Sequence, residues 1–268
     1  MLRTQKQIGL VSLLSLLSVS IYAQEFDGFY FGGGLGGSQS RVNVNQSIEI
    51  NAVLFNTTNI FDIVKNNKET LTDTSFLGDL NLGFGHVFSQ RWYLGIEGNA
   101  VWQDLETDAA QPLQQPDGSL NIIEKTTVKL SNQFNIALVP GIVFDKNTLL
   151  YGKIGVAWGN FDVKNSANYD QTIQAPITLS SSNSFSDSGY ENGLLLGLGI
   201  EHYLTQNLSM KLEYTHANYG TIHDSGPTTS AINNPDPANI PITGTVTDSS
   251  KASISTNSVM LGMSYHFA

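Results

Sequence analysis

Apolar residues alternate with small or charged residues along much of the chain, most clearly from Leu194 to Tyr214. Even-numbered positions there are mostly Leu, Ile and Met, whereas odd-numbered positions between them are largely Gly, Ser, Lys and Glu. The short segment Thr205–Asn207 interrupts the pattern. A period of two predicts β-strands, and two such runs around a tight turn predict an antiparallel hairpin. The hairpin therefore has one apolar face and one small or charged face.

Eight segments of the chain carry strand patterns of this kind. Pro140 lies inside one of them and, because proline cannot donate to a ladder, it predicts a β-bulge. The eight predicted strands are Phe26–Ser38, Thr74–Phe88, Trp92–Glu106, Lys125–Phe144, Thr148–Lys164, Gly189–Leu204, Leu208–Thr221 and Ala252–Phe267.

The connections between these segments alternate between short turns and long polar stretches. Ser89–Arg91, Asp145–Asn147 and Thr205–Asn207 are short, whereas roughly 39–73, 107–124, 165–188 and 222–251 are long and contain the other seven prolines. This alternation predicts an all-β fold, an eight-stranded antiparallel up-and-down β-barrel with one plain end and four long external loops. Alternation within 41–44 and 47–51 leaves open that the first strands extend further.

The first residues predict export. Arg3 and Lys6 precede an apolar stretch, residues 8–19, that is too short to span a bilayer, and small residues lead up to Ala23. This is the pattern of a signal peptide, so we expect residues 1–23 to be removed and one domain to occupy 24–268.

The charge and cysteine content of the chain exclude several classes of function. The net charge of −10 argues against nucleic-acid binding, which needs a basic face. With no cysteine, disulfides and cysteine-type zinc sites are excluded. Charged residues are 13% of the chain, against about 25% in typical soluble domains. An exported chain with so little charge suits a transmembrane barrel of the bacterial outer membrane.

A soluble barrel would show the same alternation with its apolar face inward, so the direction of the apolar face must be argued separately. The face opposite the apolar one is rich in glycine, which weakens a water-facing strand but suits a crowded lumen. Aromatic residues also recur near strand ends at separations that match about 25 Å of lipid-facing band. The predicted aromatic girdle comprises Trp92, Trp102, Phe134, Phe144, Trp158, Tyr214, Tyr265 and Phe267.

The hairpin from Gly197 to Tyr214 resembles the penultimate hairpin of small opacity-type outer-membrane β-barrel proteins. The opening segment Phe29–Ser38 is similar to the first strand of that family, and the alternating run Val259–Phe267 resembles its terminal strand. The resemblance implies an eight-stranded barrel inserted by the barrel-insertion machinery, and it covers none of the long loops.

Several ionisable residues fall on the predicted inner face by parity, and Glu201 should stand opposite Lys211 as a cross-strand ion pair. Buried charges in a narrow lumen must be paired or wet. We interpret the set as a polar plug that closes the barrel, with a gate across a small pore as the alternative. The inward set is Glu97, Lys129, Lys153, Glu201, Lys211 and Glu213.

Three local patterns resemble chemical sites. Gly32–Gly37 matches a dinucleotide-binding spacing, but no helix follows, so these glycines are expected to line the lumen. Alternating Asp104, Glu106 and Asp108 form either a solvated acidic rim or a divalent-cation site. His216 resembles the histidine of barrel lipases, yet the position of the nucleophilic serine holds Asn218. We therefore expect no enzyme activity, no cofactor and no bound metal.

These patterns predict an integral outer-membrane protein with a structural or adhesin-like role carried by its external loops. The expected partners are outer-membrane lipids and lipopolysaccharide, the insertion machinery, and an extracellular or host ligand at the loops. The alternatives are a narrow ion or solute channel and, from a third class, a membrane-embedded lipid-modifying enzyme.

Overall fold

A computed structural model describes residues 26–54, 58–114, 120–174, 177–231 and 242–267. Its strands form one closed barrel in which each strand pairs with its neighbours in the sequence and β1 pairs with β8, all antiparallel. The predicted signal peptide, with the expected cleavage after Ala23, lies outside these residues. The strands are β1 (Gly28–Leu54), β2 (Thr58–Phe88), β3 (Trp92–Gln114), β4 (Leu120–Asp145), β5 (Thr148–Gln174), β6 (Ile177–Tyr203), β7 (Leu208–Ala231) and β8 (Ile242–His266).

The up-and-down eight-stranded barrel and its three short turns are confirmed. The described residues contain no helix of the length and apolarity that crossing a membrane would require.

The strands are much longer than predicted, at 23 to 31 residues each, whereas about 9–11 suffice to cross a bilayer. Most described residues of the four stretches expected as polar loops belong to these strands. These stretches resemble loops in sequence because they are polar and have no apolar face toward lipid, although their residues are compatible with strands. The strands instead continue beyond the membrane.

Each strand has two halves, which differ in whether the apolar side chains face outward or inward. In the half near the short turns, outward residues such as Leu94 and Leu198 are exposed, and inward ones such as Glu97 and Lys153 are buried and charged. An apolar exterior around a polar interior is the pattern of a lipid-embedded barrel.

In the half away from the short turns, this pattern is reversed. The outward side chains Arg41 and Asp104 are exposed and charged there, while inward Val42 is fully buried. Polar outside and apolar inside is the pattern of a water-exposed fold. The inner cluster of this extramembrane part includes Val42, Val44, Leu105, Val128, Leu130, Phe161, Val163, Tyr219 and Ile254.

The barrel is fully closed only at membrane level. Pairing between β2 and β3 runs from Leu77 with Gln103 to the turn, and pairing between β6 and β7 stops at Leu194 with Asn218. The other six pairs of strands continue beyond those points. The described extramembrane part therefore consists of two four-stranded sheets, β7-β8-β1-β2 and β3-β4-β5-β6, separated by two open seams.

The bulge predicted at Pro140 is wrong. Leu138 pairs with Ile154 and Gly141 with Tyr151, so the register against β5 is the same on both sides of the proline. The ladder lacks Val139 and Pro140 as partners of β5, but no residue is inserted. The proline's missing N–H is accommodated by a local gap in hydrogen bonding.

A register shift of β4 lies elsewhere, between Leu130 and Gln133. Because it inserts one residue, it reverses the parity of β4, and Lys129 points outward rather than into the lumen. The inward position predicted for Lys129 is therefore wrong.

Two prolines expected in loops lie within strands. Pro112 is in β3 and Pro227 is in β7, both beyond the point where the strand loses one of its two neighbours.

Candidate functional site

The lumen at membrane level is crossed by a chain of charged side chains. Lys153 of β5 places its Nζ 2.5 Å from Glu97 Oε1 of β3 and 2.5 Å from Glu213 Oε2 of β7. All three side chains are at most 4% exposed. Alternate strands of a narrow barrel face one another across the lumen, so one lysine bridges both carboxylates.

Two tyrosines complete the coordination of these carboxylates. Tyr30 donates to Glu97 Oε2 at 2.8 Å, and Tyr151 donates to Glu213 Oε2 at 2.8 Å. The Nζ of Lys211 lies 3.6 Å from Glu97 Oε2 as a second cation. Two lysines thus face two glutamates, and this network of hydrogen-bonded, neutralising charges can exist without bulk water.

Glu201 takes different partners from the one predicted. It stands opposite Lys211 in the ladder, as the turn predicted, but the ion pair expected between them is wrong. Its Oε1 accepts from Ser209 Oγ at 2.5 Å and lies 2.8 Å from His266 Nε2. Lys211 extends instead across the lumen toward Glu97. Strand register alone does not predict this contact, because the two residues lie on strands that are not neighbours.

The turn-side end of the lumen is capped by aromatic rings. His266 stacks on Tyr30 at 5.3 Å between ring centroids and lies 4.9 Å from the ring of Tyr203. Phe26 packs on Tyr203 at 4.7 Å and is 2% exposed. On the other side of the charge network, a cavity lined by Asn99, Lys153 and Glu213 among others has a volume of only about 10 Å³. That is room for about one water molecule.

The three acidic residues near the far end of β3, Asp104, Glu106 and Asp108, lie outside the membrane band and are paired with lysines of β4. Asp104 and Glu106 contact Lys129 at 2.8 and 3.7 Å, and Asp108 contacts Lys125 at 3.1 Å. Hydrogen bonds from the Thr127 hydroxyl and from Lys125 hold the pKa of Asp108 below its usual value. The hydrogen bond and charge of Asp104 raise the pKa of Lys129.

This arrangement is a solvated ladder of ion pairs. Within the described ranges, no group of three or more His, Asp or Glu side chains is arranged to hold a metal ion.

His216 has no hydroxyl nucleophile of the kind that the lipase comparison requires. Its Nδ1 lies 3.0 Å from Asn257 Oδ1, and the side chain of Asn218 accepts from the backbone N–H of Gly220 at 2.9 Å. Ser209, His266 and Glu201 do cluster in the lumen, but Ser209 Oγ and Glu201 Oε1 both contact the same histidine nitrogen. A triad needs the carboxylate on the opposite nitrogen.

The predicted girdle residues all point outward from the membrane-level barrel. Their side chains are 36–73% exposed, with Phe144 the most exposed and Trp158 the least. Trp92, Phe144, Tyr265 and Phe267 lie near the short turns, whereas Trp102, Phe134, Trp158 and Tyr214 lie at the opposite edge of the apolar band.

Sequence reasoning missed several lumen residues of equal importance. Tyr30, Tyr151 and Ser209 share the inward parity of their strands but are not charged, so the pattern of ionisable residues does not reveal them. Asp79 was missed although it is 4% exposed and accepts from Asn81 and Asn99 at 3.2 and 3.3 Å. Parity on β2, where Asp79 alternates with apolar Leu80, was a signal that could have found it.

Comparisons with known proteins agree with this architecture. Residues 9–267 match the family model of the outer membrane protein beta-barrel domain. No curated protein matches the chain in sequence.

Among solved structures, the chain is similar to Ail, the attachment invasion locus protein of Yersinia pestis, at 15% identity and a TM-score of 0.32, covering 90% of this chain and 99% of Ail. It is similar to the outer membrane protease OmpT of Escherichia coli at 12% identity and a TM-score of 0.40, covering 92% and 99%. It is also similar to the outer membrane protein OprG of Pseudomonas aeruginosa at 12% identity and a TM-score of 0.38, covering 91% of this chain and 97% of OprG.

The family match spans nearly the whole chain, and the barrel has the apolar belt and polar lumen that a lipid bilayer demands. The chain belongs to the outer-membrane β-barrel family and is a protein of the bacterial outer membrane.

Proposed function

We propose that this chain is a surface-contact protein of the outer membrane, in which the extramembrane part carries the interaction and the lumen is a closed plug. The observation that supports the proposal is the continuation of all eight strands beyond the lipid-facing band, with an apolar interior and a polar exterior. A protein that only filled a hole in the membrane would need no such extension. An ordered platform outside the cell is suited to binding.

The expected partner is an extracellular or host macromolecule, or the lipopolysaccharide around the barrel. The two seams leave the β2 edge above Leu77 and the β7 edge above Asn218 without their membrane-level neighbours. Unpaired strand edges offer backbone donors and acceptors to an extended partner segment. The paired charges on β3 and β4 offer an ionic surface beside one of these seams.

The test is to shorten one hairpin without touching the membrane-level barrel. Thr228 pairs with Asp248, so replacing residues 229–247 with Asn-Gly should close the β7–β8 hairpin lower down. Cells displaying the intact chain should bind surfaces coated with fibronectin, laminin or lipopolysaccharide, and the shortened variant should lose most of that binding.

The control is Lys146→Ser in the opposite short turn, which should bind like the intact chain. All variants should still shift on a gel between unboiled and boiled samples, as folded barrels do. Equal binding by the shortened and intact chains would contradict a role for this hairpin. Failure of the intact chain to bind any of these surfaces would count against the proposal itself.

A narrow channel is the second candidate, because charged side chains line the lumen. The closed-plug proposal expects no stable openings in planar bilayers, since Lys153 and its two glutamates cross the lumen and rings of Phe26, Tyr203 and His266 cap it. Stable openings that disappear on Glu201→Gln or Lys211→Met would overturn the plug.

The absence of enzyme activity belongs to the same proposal. It expects the mass of lipid A to be unchanged after incubation with the folded protein. Deacylated lipid A would argue for the lipid-modifying alternative.

A further inference from the structure

On the lipid-facing surface of the described barrel, two small residues lie side by side in a row that is otherwise made of large side chains. Leu94 of β3 pairs with Pro140 of β4, and Gly152 of β5 pairs with Leu198 of β6. The pairing of Gly141 with Tyr151 puts Pro140 beside Gly152. An outward-facing row across four strands therefore reads Leu, Pro, Gly, Leu, with its two smallest members in the middle.

The rows on either side of this one are made of large apolar residues, so the missing side chains leave a groove. Rows two residues away on each side are separated by about 13 Å along the strands. The groove extends from Pro140 and Gly152 over the row on the short-turn side to the turns themselves, and its volume is about 730 Å³, within the range of small-molecule sites. The row on the short-turn side is Trp92, Ile142, Leu150 and Ile200, and the row on the other side is Ile96, Leu138, Ile154 and Leu196.

Packing within the barrel does not require glycine at position 152. A Cβ built there would meet only Gly197 O, at 3.7 Å, which is ordinary contact. The lumen-facing glycines of the same strands differ: a Cβ at Gly155 would lie 2.1 Å from Ile136 O, and one at Gly199 would lie 2.3 Å from the Tyr151 ring. The lumen explains Gly155 and Gly199, whereas the open space over Gly152 faces lipid.

A cation stands at the short-turn end of the groove. Arg91 lines the groove together with Phe88, Trp92 and Phe144. Its backbone carbonyl accepts from the N–H of Val143 at 2.8 Å, which ties the β2–β3 turn to the end of β4. None of the ion pairs in the described part of the chain includes Arg91. Its guanidinium is therefore available to an anion at the membrane surface.

We propose that this groove binds one phospholipid of the periplasmic leaflet, with an acyl chain over Pro140 and Gly152 and the phosphate at Arg91. Short turns of outer-membrane barrels face the periplasm, so the groove lies in the inner leaflet. An apolar groove open to hydrocarbon and bounded by a guanidinium at its water-facing end is complementary to an amphipathic anion. The planar guanidinium of arginine donates several hydrogen bonds at once to phosphate oxygens, which makes arginine well suited to binding phosphate.

The test uses Trp92, which lies in the groove wall, as a fluorescent reporter in the full-length folded protein. In a Trp102→Phe, Trp158→Phe background, phosphatidylglycerol brominated on its acyl chains is titrated into detergent micelles that contain the protein. Saturable quenching of Trp92 is expected. Gly152→Phe should fill the groove and weaken the apparent affinity at least tenfold.

The matched control is Gly98→Phe. Gly98 also faces outward, and a Cβ there would meet nothing closer than Asn135 O at 3.8 Å, but it lies outside the groove. This variant should titrate like the background. Arg91→Gln should weaken binding of the brominated phosphatidylglycerol several-fold while leaving that of brominated diacylglycerol, which has no phosphate, unchanged.

Three results would overturn the proposal. Quenching that rises linearly with lipid content and is equal in the position 152 and 98 variants would be ordinary partition into micelles. An equal effect of Arg91→Gln on both lipids would remove the phosphate contact. A change of oligomeric state on Gly152→Phe, without a change in quenching, would assign the groove to a second copy of the chain. If Gly152→Phe does not show the heat-dependent gel shift of a folded barrel, Gly152→Leu takes its place.

Discussion

At the scale of single residues, the direction of a side chain determines its chemistry in this protein. Glu97 and Ile96 are adjacent in sequence, yet one is buried in an ionic network and the other is half exposed toward lipid. The strand's period of two separates them. Parity therefore carries most of the information on individual membrane-level positions, and it fails beyond the bulge of β4, where extramembrane Lys129 points outward.

Removing the bridging cation should be costly. Lys153→Ala leaves Glu97 and Glu213 buried with only the more distant Lys211 to neutralise them. Loss of one partner from a buried ion pair destabilises by about 3–5 kcal/mol. We expect a loss of this size in urea unfolding of the detergent-solubilised barrel. The exposed turn variant Lys146→Ala should change stability by less than about 0.5 kcal/mol, and equal effects of the two would contradict the network's role.

Glycine in the lumen should be irreplaceable where strands and side chains fill the space. A Cβ at Gly155 would lie 2.1 Å from Ile136 O and 2.6 Å from Ala137 Cα, both of them backbone atoms that cannot move aside cheaply. We expect Gly155→Ala to lose most of its folded, gel-shifted fraction after refolding. The same change at outward-facing Gly98 should refold normally, and similar yields for both would show that the lumen is looser than its geometry indicates.

At the scale of elements, the short turns differ from one another in backbone conformation. The β2–β3 turn places Ser89 and Gln90 at φ of 53° and 60°, and Arg91 N donates to Phe88 O at 3.3 Å. Positive φ at both central positions is the pattern of a type I′ turn, here within a three-residue loop between the paired Phe88 and Trp92. Such a backbone disfavours residues other than Gly, Asn and Asp. In the β4–β5 turn, by contrast, Asp145 Oδ1 accepts from the N–H of Asn147 at 2.8 Å.

Replacing Ser89-Gln90 with Asn-Gly should therefore stabilise the barrel. Relief of left-handed strain at two positions is expected to add about 1–2 kcal/mol to the free energy of unfolding. Urea midpoints of the two proteins measure the change. Lys146→Gly, in a turn where no described non-glycine residue has a positive φ, should give no gain. A gain there as large as at Ser89-Gln90 would point to a general effect of glycine.

At the scale of the whole molecule, one barrel is built for two solvents. Near the short turns lipid surrounds an apolar exterior, and beyond the band water surrounds a polar exterior with its own apolar interior. The change from one regime to the other coincides with the end of β2–β3 and β6–β7 pairing. The opening into two sheets thus occurs where the closed ring is no longer needed to hide strand edges from lipid.

The orientation of the molecule can be tested directly, because the chain has no cysteine. Lys125→Cys lies on the exposed extramembrane part of β4, and Lys146→Cys lies in the β4–β5 turn. In intact cells a membrane-impermeant maleimide should label the first and not the second. Permeabilising the outer membrane should then allow labelling of Lys146→Cys. The reverse order of labelling would invert the barrel and place the phospholipid groove in the outer leaflet.

Much of this architecture follows from local sequence. Alternation, glycine on one face and the three short turns determine eight strands, their order and the direction of apolar residues such as Leu194 at membrane level, because the pleat enforces a strict period of two. The hydrogen-bonding register of Glu201 with Lys211 also follows from the turn alone.

Only the tertiary structure determined the length of the strands, the partners of the charged lumen residues and the groove on the lipid-facing surface. The length of the strands depended on an inner apolar core that polar hairpins such as β1–β2 build only together with their neighbours. The partners of Glu97, Glu201 and Lys211 depended on which strands face each other across the lumen, since long side chains reach well beyond their ladder positions. The groove at Pro140 and Gly152 exists only because the register sets those two small residues side by side between large ones.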